Sequence, residues 1–447
     1  MTTTPELCLR EVSADVRSVL EKSLEGREIT VGDGVVLSGA RGTDLHALCL
    51  VANELRSRQA GDRVSYVVNR NINFTNVCIK NCKFCAFART VRSEQGYFLP
   101  HDEIARRVRQ AVDMGATEVC LQAGLSPNLT GDSYIELCRV VKEAAPDVHI
   151  HAFSPEEVKF GASLKRVSFS EYLEELVDAG LGSLPGTSAE ILDDQLRKTI
   201  APTRITTSEW VEVITSAHAL GIPTTSTMMF GHVETVEHRM HHMDLLRRIQ
   251  RDTGGFTEFV PLSFVHDEAP LFVKSDVPGV RPGPTGDDVL RLYATARLML
   301  GQDIPNLQAS WVKEGIRTSQ FLLSAGVNDL GGTLMNESIS TAAGARHGQL
   351  MTPATLRRVI RDAGKVPVER NTRYGIVREF GPTATDDPPE PLDHIEDPDS
   401  VFGSYEALTR DSRYHYEPRG LRGGHSAPPN PKQFQPVIDR TAKTQTR

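Results

Sequence analysis

The sequence predicts an α/β fold, a closed barrel of eight parallel strands of the TIM type, (β/α)8, over residues 61–347. Two observations predict it. Short apolar or β-branched runs alternate eight times with amphipathic helical patterns, and strands separated by helices pair in parallel. The cycles also fill roughly 280 residues, which suits a closed barrel better than an open doubly wound sheet. A six-stranded open barrel is the alternative, since the fourth and eighth runs carry the weakest signal.

Residues 1–60 form a helical extension in this reading. In DLHALCLVANELRSRQAG, Leu45, Leu48, Ala52 and Leu55 recur at helical spacing before Gly61 ends the pattern. The strand candidates follow as VSYVV, TEVCLQAG, DVHIHAFS, GSLPG, PTTSTMMFG, TEFVPLSF, NLQASW and NDLGG. Between the third and fourth, SFSEYLEELVDAG puts Phe169, Tyr172, Leu173, Leu176 and Val177 on one stripe. Ser168 and Glu171 there have capping-box spacing, and Gly180 supplies a stop. Residues 348–380 are expected to add a helical cover. From 381 to 447 Pro, Gly, Asp and Ser dominate, which predicts a largely disordered tail in which the piece VFGSYEALTRDSRYHYEP docks locally.

Of the 447 residues 39% are hydrophobic, and 58 acidic against 50 basic side chains leave a formal charge of -8. That balance argues against nucleic-acid and polyanionic-surface partners and favours small ligands. The charged N-terminus lacks the apolar core of a signal peptide and no 18-residue apolar run follows, so a cytoplasmic protein without membrane attachment is expected. Seven unevenly spaced cysteines suit a reducing compartment better than a disulfide framework. Cys8, Cys49, Cys120 and Cys138 are expected to be packed thiols.

The other three, Cys78, Cys82 and Cys85, fall within eight positions directly after the first strand, where a barrel carries its active-site loops. Structural zinc wants four protein ligands, and no second Cys or His pair lies nearby. A cubane iron–sulfur cluster held by three thiolates instead leaves one iron with an open position for a ligand.

The triplet, with Phe84 just before its last cysteine, resembles the signature of the radical S-adenosylmethionine (SAM) superfamily. The resemblance implies a 4Fe–4S cluster on Cys78, Cys82 and Cys85 whose open iron chelates SAM, and a 5′-deoxyadenosyl radical as oxidant, so no protein nucleophile is assigned. It further implies a SAM site at Phe84, Gln122 and Gly124 of QAGL, Ser154 toward the ribose, and Gly186 and Glu190 beside the adenine. Plainer readings stay open for Gly124 as a strand-to-loop turn and Glu190 as a loop-fixing residue.

In HIHAFSPEE, His149, His151 and Phe153 share one strand face, expected to point into the barrel, while Val148, Ile150 and Ala152 face the helices. Stretches such as NRNINFTNVC, HIHAFSPEEV, LPGTSAEILDD, IPTTSTMMFGHVET and NDLGGTLMNESIS resemble the group that makes deazaflavin and futalosine-pathway cofactors. Within it, GTS and HAFSPEE match the tyrosine-using half of deazaflavin synthesis.

The implied partners are L-tyrosine, 5-amino-6-(D-ribitylamino)uracil, a separate radical SAM subunit and an electron donor such as ferredoxin or flavodoxin. Substrate contacts are expected at His151, Thr187, Thr227, His232, Glu234, Asn328 and Asp329, the last of which would otherwise be a turn residue. The alternatives are a dehypoxanthine futalosine cyclase and, further off, a non-enzymatic iron–sulfur carrier or sensor.

Overall fold

A computed structural model describes residues 9–418, so Cys8 and the segment after 418 lie outside the described residues. Three helices, Ala14–Leu24, Val31–Ser38 and Thr43–Ala60, form the expected N-terminal extension. Leu45, Leu48 and Ala52 are buried on the third, and Gly61 ends it with φ 59°.

The strands are β1 (Arg63–Val67), β2 (Asn69–Ile72), β3 (Glu118–Leu121), β4 (His149–Ala152), β5 (Thr224–Phe230), β6 (Phe256–Ser263), β7 (Asp329–Gly332), β8 (Val366–Arg370) and β9 (Ile376–Glu379). β1 and β2 run on through Val68 as one stave. β2, β3 and β4 pair in parallel. Parallel bridges His151 to Ser183 and Leu184 to Thr224 supply a two-residue fourth stave leading to β5, which pairs with β6. Bridges Phe259 to Leu307 and Gln308 to Asp329 supply the seventh, and β7 returns to β1 through Ser65 and Asp329. The circuit is closed with eight staves, one at each of the eight runs read from the sequence.

Polar N-caps start the surrounding helices. Ser168 with Glu171, Thr206 with Glu209 and Thr285 with Asp288 each close a reciprocal capping box ahead of Phe169–Asp178, Thr207–Ala219 and Gly286–Leu300. Val148, Ile150 and Ala152 are buried. Phe153 departs from the alternation, because it lies past the end of β4 and packs on Tyr134 of helix Ser133–Ala144 with ring centroids 4.6 Å apart.

Residues 348–380 differ from the all-helical expectation. Helix Pro353–Asp362 is followed by the antiparallel hairpin β8–β9, and β8 pairs in parallel with β1. Asn371 makes the turn possible, its side-chain oxygen accepting from the N–H groups of Arg373 and Gly375.

The hairpin closes the N-terminal end of the barrel with polar groups. Arg370 reaches Asp329 at 2.6 Å and Glu258 at 3.4 Å, Tyr374 donates to Glu258, and Thr372 donates to Glu118. Burial raises the Glu258 pKa, with the Arg370 charge opposing it.

Residues 381–418 are not the loose tail their composition predicts. Short helices Pro398–Phe402 and Tyr405–Arg410 bury Phe402, Tyr405 and Leu408, and Leu392 and Tyr416 are buried to either side. Asp387, Glu390 and Asp393 converge on the buried guanidinium of Arg357 at 2.8, 2.6 and 3.0 Å. Five apolar anchors and one cation thus dock a polar stretch.

Arg357→Met leaves Glu390 and Asp393 facing an uncharged side chain, while Asp387 keeps Arg361 at 2.6 Å. It should destabilise the protein by about 3 kcal/mol, read as a lower midpoint in thermal unfolding. A midpoint matching that of the unaltered chain would mean that the segment docks without the ion pairs. Among the described residues no helix is long and apolar enough to cross a membrane.

Candidate active site

At the C-terminal mouth of the barrel the loops enclose a cavity of about 250 Å³. Its wall begins with the loop after β2, which brings Cys78, Cys82, Cys85 and Phe84 to the same space. Backbone bonds pin that loop along its length: Cys78 N–H to Arg89 O at 3.0 Å, Ile79 N–H to Leu125 O at 2.9 Å and Lys83 N–H to Ile200 O at 2.8 Å.

Burial pushes the Cys82 thiol up to about 12, opposed by the charge of Arg204, and burial also raises Cys78. Thiolates there need positive compensation. The surroundings aim donors at sulfur, with Lys80 N–H 3.4 Å from Cys78 Sγ and Arg204 Nη1 3.6 Å from Cys82 Sγ. Among the described residues no three His, Cys, Asp or Glu side chains group tightly enough for a single metal ion. Three thiols around one space, with N–H donors directed at sulfur, fit the wider body of an iron–sulfur cluster.

Arg204 is the centre of the polar wall. It lies 3.6 Å from Glu190, 3.7 Å from Glu156 and 5.8 Å from the Phe84 ring centre, and it donates to Ser188. Burial would lower its pKa, but Glu190, Cys82 and Glu156 hold it well above the usual value. Arg197 ties down the loop beneath, donating to the carbonyls of Ser188 at 2.9 Å and Ile205 at 2.7 Å. Ser188 and Glu190 sit there at φ 63° and 41°.

Gln122 and Thr187 also line the cavity and bond to each other, hydroxyl to amide oxygen, at 3.1 Å. Gly124 lines it for a reason the sequence did not suggest. A Cβ at this position would stand 2.4 Å from Val77 O, so the cysteine loop itself demands glycine. Gly186 lies just outside the lining, and a Cβ there would stand 2.0 Å from Thr225 O.

Ser154 lines the cavity, but its hydroxyl bonds to Glu157 Oε2 at 2.7 Å and caps helix Pro155–Lys165. Glu157 also accepts from Ala123 N–H at 3.0 Å, and burial, against the Ser154 hydrogen bonds, lifts its carboxyl to about 7. Thr227 faces the cavity with its hydroxyl donated to Gly186 O at 2.9 Å.

The remaining expected substrate contacts lie elsewhere. His151 points into the barrel as expected but bonds Ser183 Oγ at 2.7 Å, below the cavity lining. Burial lowers its pKa, with Glu118 opposing. His232 is fully buried, its Nε2 3.1 Å from Met229 O. Glu234 accepts from the N–H groups of Gly231 and His232 and pairs with Arg281 at 2.7 Å, so these two residues brace the turn after β5.

Asn328 and Asp329 stand at the start of the eighth stave, the opposite end from the mouth. Asn328 bonds Arg297 at 2.7 Å, and Asp329 is held by Arg370 and Ser65. Arg204, Glu156, Lys80 and Lys313 also line the cavity and were not singled out beforehand. Glu156 alone had a signal, in the PEE that follows the third strand.

A closed (β/α)8 barrel with a cysteine triplet at its mouth defines the chain as a radical SAM enzyme: residues 72–246 match the Radical SAM superfamily, and residues 253–381 match the CofH/MqnC C-terminal region. Membership implies a 4Fe–4S cluster and SAM. More particularly, the chain belongs to the family of 5-amino-6-(D-ribitylamino)uracil–L-tyrosine 4-hydroxyphenyl transferases. It is 48% identical over 363 residues to the one from Methanothermobacter thermautotrophicus, covering 81% of this chain and 98% of that protein. It is 44% identical over 374 residues to the FO synthase of Streptomyces avermitilis, covering 83% of this chain but 43% of that protein. Methylornithine synthase shares the fold, with a TM-score of 0.62, 19% identity and coverage of 78% of this chain and 97% of that one.

Proposed function

We propose that the chain cleaves L-tyrosine between Cα and Cβ and joins the 4-hydroxybenzyl fragment to C5 of 5-amino-6-(D-ribitylamino)uracil, releasing 2-iminoacetate. The observation that carries this reading is the match along 98% of an archaeal transferase of that name. Bound to a 4Fe–4S cluster, SAM would supply the 5′-deoxyadenosyl radical as oxidant.

The chain's own residues have the following parts. Cys78, Cys82 and Cys85 would hold the cluster, with the Lys80 N–H and Arg204 donating to sulfur. Gln122, Phe84, Ser188, Glu190 and Arg204 form the wall for SAM. Leu125, Met229, Leu262, Phe264 and Ile339 make much of the remaining lining apolar, which keeps water from a reactive benzylic species.

The match to 43% of the Streptomyces FO synthase supports a second radical SAM unit that takes up the product. A ferredoxin or flavodoxin would deliver the electron.

The test is anaerobic turnover of reconstituted protein with dithionite, SAM, the ribityluracil and tyrosine carrying carbon-13 at Cβ. The label should arrive at C5 of the uracil adduct. Consumption of dehypoxanthine futalosine with tyrosine ignored would make the chain a cyclase instead. SAM cleavage with neither substrate would overturn the substrate assignment and leave the radical chemistry standing.

A further inference from the structure

Three cationic side chains line the mouth cavity among the described residues, and they are not equivalent. Lys80 is neutralised by Glu156 at 2.9 Å, and Arg204 by Glu156 and Glu190. Lys313, on helix Trp311–Leu322, makes no ion pair within 4.0 Å among the described residues; the one hydrogen bond of its ammonium there goes to Ser340 Oγ at 3.3 Å.

The nearest acids are committed elsewhere. Glu314 accepts from Ser263 Oγ at 2.5 Å, and Glu337 accepts from the N–H groups of Ile339 and Ser340 at 3.0 Å, holding the start of a short helix. Burial lowers the Lys313 pKa, and Glu337 and Glu314 only partly restore it. An ammonium placed in this way gains most from an anion delivered by a ligand.

Lys313 also stands where the first cavity meets a second one of about 410 Å³, since both share Ser263, Phe264, Val265 and Lys313 in their walls. None of the contacts of Lys313 is shared with the Arg204, Glu190 and Glu156 cluster beside the cysteines. It therefore stands apart from that cluster.

On the reading above, the ribityluracil is a neutral polyol, and SAM presents its carboxylate to the cysteine side. We infer that Lys313 receives the α-carboxylate of the amino-acid substrate and so sets the register of its Cα–Cβ bond at the junction of the two cavities.

The experiment compares L-tyrosine with tyramine, the same molecule without the carboxylate, for binding to the reconstituted SAM-loaded holoenzyme. The unaltered enzyme should prefer tyrosine by roughly 10- to 100-fold, the worth of one charge-assisted hydrogen bond. Lys313→Met should abolish that preference with cluster iron and SAM affinity unchanged, and Lys313→Arg should restore most of it.

Equal binding of tyrosine and tyramine by the unaltered enzyme, which needs no variant, would overturn the assignment. So would a preference that survives in Lys313→Met, or a loss of SAM affinity matching the loss for tyrosine. Failure of the unaltered enzyme to consume tyrosine at all would instead strike the proposed function, which the turnover assay reads separately.

Discussion

Replacing any one of Cys78, Cys82 and Cys85 by Ala should abolish SAM cleavage and strip most of the iron from the reconstituted protein. The three thiols are the only cysteines lining the mouth cavity among the described residues. Two ligands cannot stand in for three, because the iron deprived of its thiolate is left to solvent and the cluster falls apart.

Cys120→Ala and Cys138→Ala are the matched controls. Cys138 is buried within helix Ser133–Ala144, its thiol pushed up to about 12 by burial, and Cys120 is in β3 with Gln122 Nε2 3.6 Å from its sulfur. Both variants should keep full iron, measured per chain by iron assay and by the electron paramagnetic resonance of the reduced protein. Iron lost from either control, or kept by all three of the others, would remove the assignment.

Gly124→Ala should cost about 100-fold in turnover while adding only a methyl group. The new carbon would meet Val77 O at 2.4 Å and Val77 C at 2.8 Å, both backbone atoms that cannot rotate away. The loop must shift, and Val77 is bonded directly to Cys78. A displacement of about 1 Å at a reacting centre is worth on the order of 10²-fold in rate.

Gly286→Ala is the comparison. That position opens helix Gly286–Leu300 with no atom within 4 Å of a built Cβ, so the change should be silent. Turnover by Gly124→Ala within twofold of the unaltered enzyme would show that the loop absorbs the clash without moving the cysteines.

The barrel was legible because each stave leaves a local trace, even the fourth and seventh, which contribute two residues apiece. The cysteine triplet was legible for the same reason. Asn328 and Asp329 were misplaced because NDLGG says that a strand is present but not which end of it meets the mouth. Only the register with Ser65 and the reach of Arg370 settle that Asp329 belongs to the opposite end.

His232 and Glu234 looked like a binding pair, yet the His232 ring bonds the Met229 carbonyl and Glu234 accepts from backbone N–H groups at the same turn, a use with no signature of its own. Arg204 and Lys313 were invisible for the converse reason: an isolated cation acquires meaning only from neighbours far along the chain. In the C-terminal stretch, Phe402, Tyr405 and Leu408 are outnumbered by Pro and Asp, so average composition hid the docking they achieve.

That docking bears on the order in which the enzyme is made. The Tyr405 ring lies 5.7 Å from Phe87, two residues past the last cysteine of the triplet, and Tyr416 N–H reaches Gly96 O at 2.9 Å. More than 300 residues separate the two sides of this contact. On the ribosome, where chains emerge from the N-terminus and fold as they are released, the cysteine loop stands without its outer wall until those further residues have been translated. For the interval between the two events the loop is therefore open on that side, and Phe87 and Gly96 gain their partners only when the C-terminal stretch arrives.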